Sequence, residues 1–407
     1  VMIGSALAAL MLVVSGVPAA ATTAAATTAA ATKAVACAGA ADFDGDGVDD
    51  VAVGDSFGDD RKGAVHVLSA GKVTPVSVPG LSEGDGFGWS VRLAQVNGDT
   101  CADLVIGAPY ADVDGVEDAG AAYVVYGGGA TPPQRLAPPQ PQRFAHFGWS
   151  LAARGDLVAI GAPYEDEGDM LDVGAVYVRK GAGDLRRISQ ESVDVRGNSE
   201  VGDQFGYSLA IGPKNGLVVG VPYENDDGVG RQIEKGKIDS GCVVFIDDVL
   251  APRLTSLKLD SPTAESGDRY GYAVAYAEGS GYAVSSPGPG YVQLLDTARK
   301  PTRRVTQEGK QAFGFSMATS SDGRLAIGAP YGGGVRVVSW KDAAEDRKLT
   351  TGDGLFGWSV TFSGNRLYVG QPDGGPFGKV AVAGRNAETL QPLQPAKGAD
   401  FGVSVSG

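Results

Sequence analysis

Two histidines and three cysteines in 407 residues leave too little material for His-based catalysis, for a zinc cage or for an iron–sulfur site. Positive charge is also scarce. The 34 basic side chains face 48 acidic ones, for a formal net charge of −14, and no run of Lys or Arg relieves that field locally. Nucleic acid and anionic membrane are therefore poor partners. No apolar run after the first twenty residues approaches the roughly 20 that a transmembrane helix needs, and no long amphipathic helical segment is evident. Glycine, by contrast, is abundant, at 62 residues, and 43% of the chain is hydrophobic. The chain is too apolar to be disordered and too long for a disulfide-stapled mini-protein. It reads as an acidic, glycine-rich β protein.

Ile3 to Val17 is apolar, broken only by Gly4, Ser5, Ser15 and Gly16, and is followed by the small residues Pro18-Ala19-Ala20-Ala21. That pattern predicts a secretory signal peptide over 1–21. The basic segment that should precede it is missing and residue 1 is Val, so the expected true start lies upstream. Residues 22–36, rich in Ala and Thr, are expected to be a flexible tail, and 37–407 the folded domain of a secreted, monomeric protein.

Two half-motifs recur in one order. The first is an aromatic-Gly pair, usually followed by an aromatic and Ser. It appears at Phe87-Gly88-Trp89-Ser90, Phe147-Gly148, Phe205-Gly206, Tyr270-Gly271, Phe313-Gly314, Phe356-Gly357 and Phe401-Gly402. The second is an apolar run ending in Gly-x-Pro or a relative, as in Ile106-Gly107-Ala108-Pro109-Tyr110 and Ile160-Gly161-Ala162-Pro163-Tyr164; blade five has Ser285-Ser286-Pro287 in its place. Each half occurs seven times. Alternating runs such as Gly120 to Tyr126 follow most second halves, and a weaker fourth run comes after. Period-2 alternation bounded by Gly, Asp and Pro argues short strands. Seven four-stranded antiparallel units predict an all-β, seven-bladed β-propeller. In Phe87-Gly88-Trp89-Ser90-Val91 the alternation is read as Phe, Trp and Val on one face and Gly and Ser on the other, a bulky face for a neighbour's small one. The chain opens on a second half at Val51 to Asp55 and ends on a first half at Phe401, so the expected closure pairs strands from opposite ends. Val35 to Ala41 competes for that slot but lacks a large aromatic.

These residues resemble FG-GAP repeats, as in the propeller of integrin α subunits and in secreted bacterial proteins. The resemblance covers about residues 42 to 407. It implies calcium-binding loops between the first two strands of some blades and a role in adhesion or ligand binding. It does not imply an enzyme. Blade five departs from the pattern and is expected to pack less regularly.

The sharpest chemical signal is Asp42-Phe43-Asp44-Gly45-Asp46-Gly47-Val48-Asp49-Asp50. Acids at loop positions 1, 3, 5 and 9, with Gly at 6 and a carbonyl at 7, can wrap oxygens round one Ca²⁺. In the resembling family this is the calcium loop, so Asp42, Asp44, Asp46 and Asp50 carry over as side-chain ligands, with Val48 offering its carbonyl. Gln95 to Asp103 repeats the register in blade two but keeps two of the four carboxylates, and weak or no binding is expected. A second acidic set follows the Gly-x-Pro elements: Asp112, Asp114, Glu117 and Asp118; Glu165, Asp166, Glu167 and Asp169; Glu224, Asp226 and Asp227. Strand alternation puts it at the end opposite the calcium loop, beside Tyr110, Tyr164 and Tyr223, where a protein or glycan ligand is expected. Three patterns are set aside. Gly54-Asp55-Ser56-Phe57-Gly58 and Gly80-Leu81-Ser82-Glu83-Gly84 match G-x-S-x-G without a following helix. Arg154-Gly155-Asp156 reads as a tight turn, and His66 and His146 lack a partner at motif spacing. Cys37 and Cys101 are expected to pair at the calcium-loop end of adjacent blades, leaving Cys242 a buried thiol.

The sequence thus predicts a secreted, non-enzymatic, calcium-binding propeller that serves as an adhesion or binding scaffold. The alternatives it leaves are an extracellular hydrolase or lyase with its active site on the top face, and a lectin-like propeller.

Overall fold

The computed structural model describes residues 37–407 apart from 130, 226–235, 308, 310–311, 333, 351–353, 385–390 and 394–397. The expected signal peptide and tail, and Asp226 and Asp227, lie outside the described residues. Seven four-stranded antiparallel sheets succeed one another along the chain. Blade two is typical, with strands Ser90–Ala94, Asp103–Ala108, Ala121–Val125 and Gln134–Leu136 in that order. The first strand of each blade lines an axial channel. The second is buried on both faces, which is why Asp103–Ala108 and Leu157–Ala162 are nearly continuous apolar runs.

Blade one is completed from the far end of the chain. Ser404–Ser406 pairs antiparallel with Val51–Asp55, with Gly54 opposite Ser404 and Ala52 opposite Ser406. The N-terminal competitor does not take the slot; Cys37 is instead disulfide-bonded to Cys101, 4.9 Å away between Cα atoms. Cys242 is a buried thiol. Closure thus follows the sequence expectation and covers the edge that Val51–Asp55 would otherwise expose.

Seven apolar clusters fill the seven interfaces between blades. Phe87, Phe147, Phe205, Tyr270, Phe313, Phe356 and Phe401 are all buried, one in each cluster. Phe87, for instance, packs between Val65 and Val67 of blade one and Ile106 and Tyr123 of blade two. Truncating such a ring to Ala costs about 3–5 kcal/mol in other cores.

A polar link accompanies six of the seven rings. Ser90 Oγ donates to the Gly148 carbonyl of the next blade at 2.8 Å, and Ser150, Ser208, Ser316, Ser359 and Ser404 repeat the bond at 2.6–2.9 Å. The Gly of the Gly-x-Pro half lies under the same carbonyl. A Cβ on Gly107 would fall 2.0 Å from Gly148 O, and Gly54, Gly161, Gly220, Gly328 and Gly370 are as confined. Side chains are excluded there by backbone, which cannot move aside.

Two details correct the sequence reading. Phe87 and Trp89 do not share a face. Gly88 has φ +95, so the chain turns between them and strand alternation starts only at Ser90. Phe87 enters the blade interface while Trp89 stands at the channel mouth. Blade five keeps four strands, and its irregularity is a register shift at Leu294/Leu295 against the outermost strand. Its motif departures compensate each other: Ala273 replaces the linking Ser, Ser285 replaces the confined Gly, and Ser285 Oγ accepts the Ala273 amide at 2.9 Å.

Ser285→Gly alone should therefore destabilise the domain, and adding Ala273→Ser should recover at least half of the loss in urea unfolding, because the hydroxyl returns to its usual strand. The ring closure should also depend on pH. Asp55 accepts the amides of Ala399 and Asp400 at 2.9–3.2 Å, while Asp400 accepts Ser56 Oγ at 2.8 Å and the Phe57 amide at 2.9 Å. Burial first, then the facing Asp55 carboxyl, pushes Asp400 up to about 7. A carboxyl raised on folding stabilises below its unfolded value, near 3.8, and that contribution is lost as pH rises through about 7. Amide exchange in Ser404–Ser406 should accelerate over this window beyond its intrinsic pH dependence in wild type, and less in Asp400→Asn.

Candidate functional site

Two groups of side chains stand out, at opposite ends of the propeller. The first is the loop before strand Val51–Asp55. The disulfide ties it to blade two, as do the amides of Ala102 on Asp42 O at 2.9 Å and of Gly128 on Phe43 O at 2.9 Å. Asp42, Asp44 and Asp50 each bring one carboxylate oxygen within 4.8 Å of the other two. Asp42 is fully buried. Its Oδ1 accepts the Gly45 amide at 2.8 Å, and its Oδ2 the amides of Ala38 at 2.9 Å and Gly47 at 3.1 Å. Asp50 Oδ2 takes the Phe43 and Asp44 amides, yet its Oδ1 is buried with no hydrogen-bond partner. Burial pushes the Asp50 carboxyl up from its ordinary value. A buried carboxylate oxygen left unpaired is costly, and a hard cation bridging the three acids would satisfy it.

The structure does not bring all the expected ligands together. Asp46 Oδ2 accepts the Ser69 hydroxyl at 2.7 Å, which holds its carboxyl below the usual range, and Val48 is 53% exposed. Blade two supplies the comparison. Asp103, the counterpart of Asp50, has both oxygens in use, from the amides of Val96, Asn97 and Gly127. That loop is closed by its own backbone.

The second group surrounds the channel mouth. Trp89, Trp149, Tyr207, Tyr272, Phe315 and Trp358 occupy one position in six successive blades. Neighbouring centroids lie 4.6–5.8 Å apart. Val403 breaks the ring in blade one. Tyr110, Tyr164, Tyr223 and Tyr331, each next to a Gly-x-Pro half, flank the ring edge-on at 5.2–6.2 Å. His146 sits between Tyr110 and Tyr164, its Nδ1 3.0 Å from the Pro109 carbonyl oxygen. The rings enclose a cavity of about 260 Å³. Burial pushes Tyr164 up to about 12 and Tyr207 higher still, so both keep their phenolic protons.

Around this mouth the acidic set divides. Asp112 and Asp166 are equivalent, each accepting an amide six residues on, from Asp118 and Asp172. Burial raises the carboxyls of Asp118 and Asp172, and His146 opposes the shift in both. Glu165 and Glu224 have turned inward. Glu165 is held by Tyr177 and Arg187, and Glu224 by Gln190 and Lys258. Arg154-Gly155-Asp156 is the turn between the first two strands of blade three, with Arg154 paired to Glu278. Ser56 donates to Asp400 and takes no part in a nucleophilic constellation. His66 lies edge-on to Phe401 at 5.4 Å, and burial pushes its imidazole down.

Residues 87–125 and 133–179 each match an FG-GAP repeat family. The chain is a β-propeller that carries FG-GAP repeats over these residues. It resembles integrin α subunits, with 34% identity to integrin alpha-PS2 of Drosophila melanogaster over 191 residues, 42% of this chain. Identity to integrin alpha-7 of Homo sapiens is 34% over 166 residues, 37% of this chain. These matches span 13% of the length of each relative. A streptogramin B lyase structure superposes with a TM-score of 0.55 at 9% identity, over 79% of this chain and 86% of that one. Virginiamycin B lyase from Staphylococcus aureus gives 0.52 at 8%, over 75% and 84%. Likeness at such identity is one of fold alone.

In this propeller the aromatic ring was open to sequence reasoning, since the residue after each Phe-Gly or Tyr-Gly is aromatic in six of seven repeats. The faulty alternation hid it by assigning Trp89 to the core. For the acidic loop, Ca²⁺ at 100 times its dissociation constant should stabilise the domain by about 2.7 kcal/mol. Chelator should lower the melting temperature of wild type and of Asp99→Asn, but leave Asp44→Ala unchanged; equal responses in all three would refute the assignment.

Proposed function

We propose that this propeller is an extracellular, calcium-stabilised, non-enzymatic scaffold whose aromatic mouth binds a cationic group of a protein partner. The observation that carries the reading is the ring from Trp89 to Trp358, open at the channel mouth, with Asp118 and Asp172 close to His146 on its blade two and three side. Ring faces attract cations by their quadrupole, by about 0.5–2 kcal/mol each according to exposure. The outer tyrosines already do so within the molecule, for Arg269 stands 5.3 Å from the Tyr223 ring centre. Adhesion or ligand binding is what the likeness to integrin α subunits suggests. The Asp42–Asp44–Asp50 cluster supports Ca²⁺ as the ion that fixes the opposite end. The disulfide supports an oxidising, extracellular setting. No helix among the described residues is long and apolar enough to cross a membrane.

Three tryptophans in the ring make the test direct. An arginine-rich peptide should quench their fluorescence saturably, with affinity at least tenfold above that of the same peptide with citrulline for arginine. Trp149→Ala should weaken it by a similar factor. Equal binding of the citrulline peptide, or stronger response to neutral oligosaccharides, would overturn the reading in favour of a glycan ligand.

A further inference from the structure

The innermost strands carry a second seven-membered ring, one layer below the aromatics. Five positions after the aromatic of each first half, six blades place Ala152, Ala210, Ala275, Ala318, Thr361 and Ser406. Blade two alone places Arg92. The guanidinium lines both sections of the axial channel, the mouth and a deeper one of about 250 Å³. Its one hydrogen bond among the described residues runs from Nη1 to the Val91 carbonyl at 2.7 Å. No carboxylate among the described residues pairs with it. Of its five N–H donors, four have no hydrogen-bond acceptor among the described residues.

An unpaired charge in such a setting is unfavourable, and evolution's usual solutions are an ion pair or a bound counter-ion. We propose that the axial channel is an anion site, with a small monovalent anion held by Arg92. The neighbouring blades supply further donors to the same section. Ser406 Oγ accepts the Leu93 amide at 3.0 Å and Thr361 Oγ1 accepts the Gly407 amide at 3.0 Å, so each hydroxyl keeps its own proton to donate. Desolvation, which pushes the guanidinium down from its ordinary value, is the only influence on it; no acid offsets it. Size selects the ligand class. At roughly 30 Å³ per water, a 250 Å³ section holds about eight waters, enough for a hydrated halide or a nitrate but not for a folded acidic segment. A bound anion would also neutralise Arg92 beneath the cation-binding mouth, although the inference stands without that mouth.

Bromide is the probe. Crystals of the full chain grown in bromide should show an anomalous peak within hydrogen-bond distance of the Arg92 guanidinium. In solution at constant ionic strength, replacing the much larger gluconate by bromide should raise the melting temperature saturably in wild type. The response should weaken at least tenfold in apparent affinity in Arg92→Lys and vanish in Arg92→Met. In gluconate, Arg92→Met should be at least as stable as wild type, since it removes an uncompensated charge. An ordered Arg92 with no bromide peak, or a wild-type bromide response equal to that of Arg92→Met, would overturn the proposal. Should Arg92→Met fail to fold, the bromide map of wild type and the Arg92→Lys titration decide alone.

Discussion

The contact on which this molecule depends is the meeting of a serine hydroxyl, a glycine carbonyl and a bare glycine Cα at the boundaries between blades. Six of the seven boundaries carry the bond from the serine of one blade to the Phe-Gly carbonyl of the next. One neutral hydrogen bond contributes about 1 kcal/mol net. Its larger effect is geometric, because the carbonyl can approach only where the facing residue has no Cβ. The approach brings the inner strands together, and the buried Phe of each motif then fills the wider space behind them. Glycine, serine and aromatic are parts of one joint, which explains why they recur as a unit.

The same joint sets up both ends of the ring. Turning the chain at Gly88 sends Phe87 between blades and leaves Trp89 over the channel, and five of the six serine-linked blades contribute a ring to the mouth in this way. Aromatic surface at the mouth is thus a by-product of packing that is open to use for binding. The opposite end has no such constraint. There the connections between first and second strands vary, and blade two keeps an ion-loop register that its own backbone has closed.

Much of this was legible before the structure. Seven ordered half-motifs specify blade number, and the orphan halves at Val51 and Phe401 specify closure. The acidic loop is visible because its spacing is local. What escaped was whatever depends on a backbone turn or on distance across the ring. Alternation misplaced Trp89 because a left-handed glycine interrupts it. Glu165 and Glu224 looked like surface acids because Arg187 and Lys258, their partners, lie 22 and 34 residues away. Asp46 belongs to the calcium-loop pattern by spacing, but Ser69 in the neighbouring strand holds its carboxylate.

Departures from the repeat therefore fall into two kinds, and the distinction carries functional information. In blade five the serine and the glycine change together, and the hydroxyl moves from one strand to the next, where it accepts an amide of the first strand. A departure answered inside the same joint is a packing solution. Asp50 and Arg92 are answered only in part by the described chain: one buried carboxylate oxygen has no donor, and the guanidinium has no acid. Where the other repeats place small residues at the Arg92 position, and where Asp103 at the Asp50 position has both oxygens satisfied, such charges persist at a cost in stability unless something outside the chain answers them. The two sit at different depths, carry opposite sign, and call for a cation and an anion respectively. A regular repeat makes these irregular charges readable as binding positions.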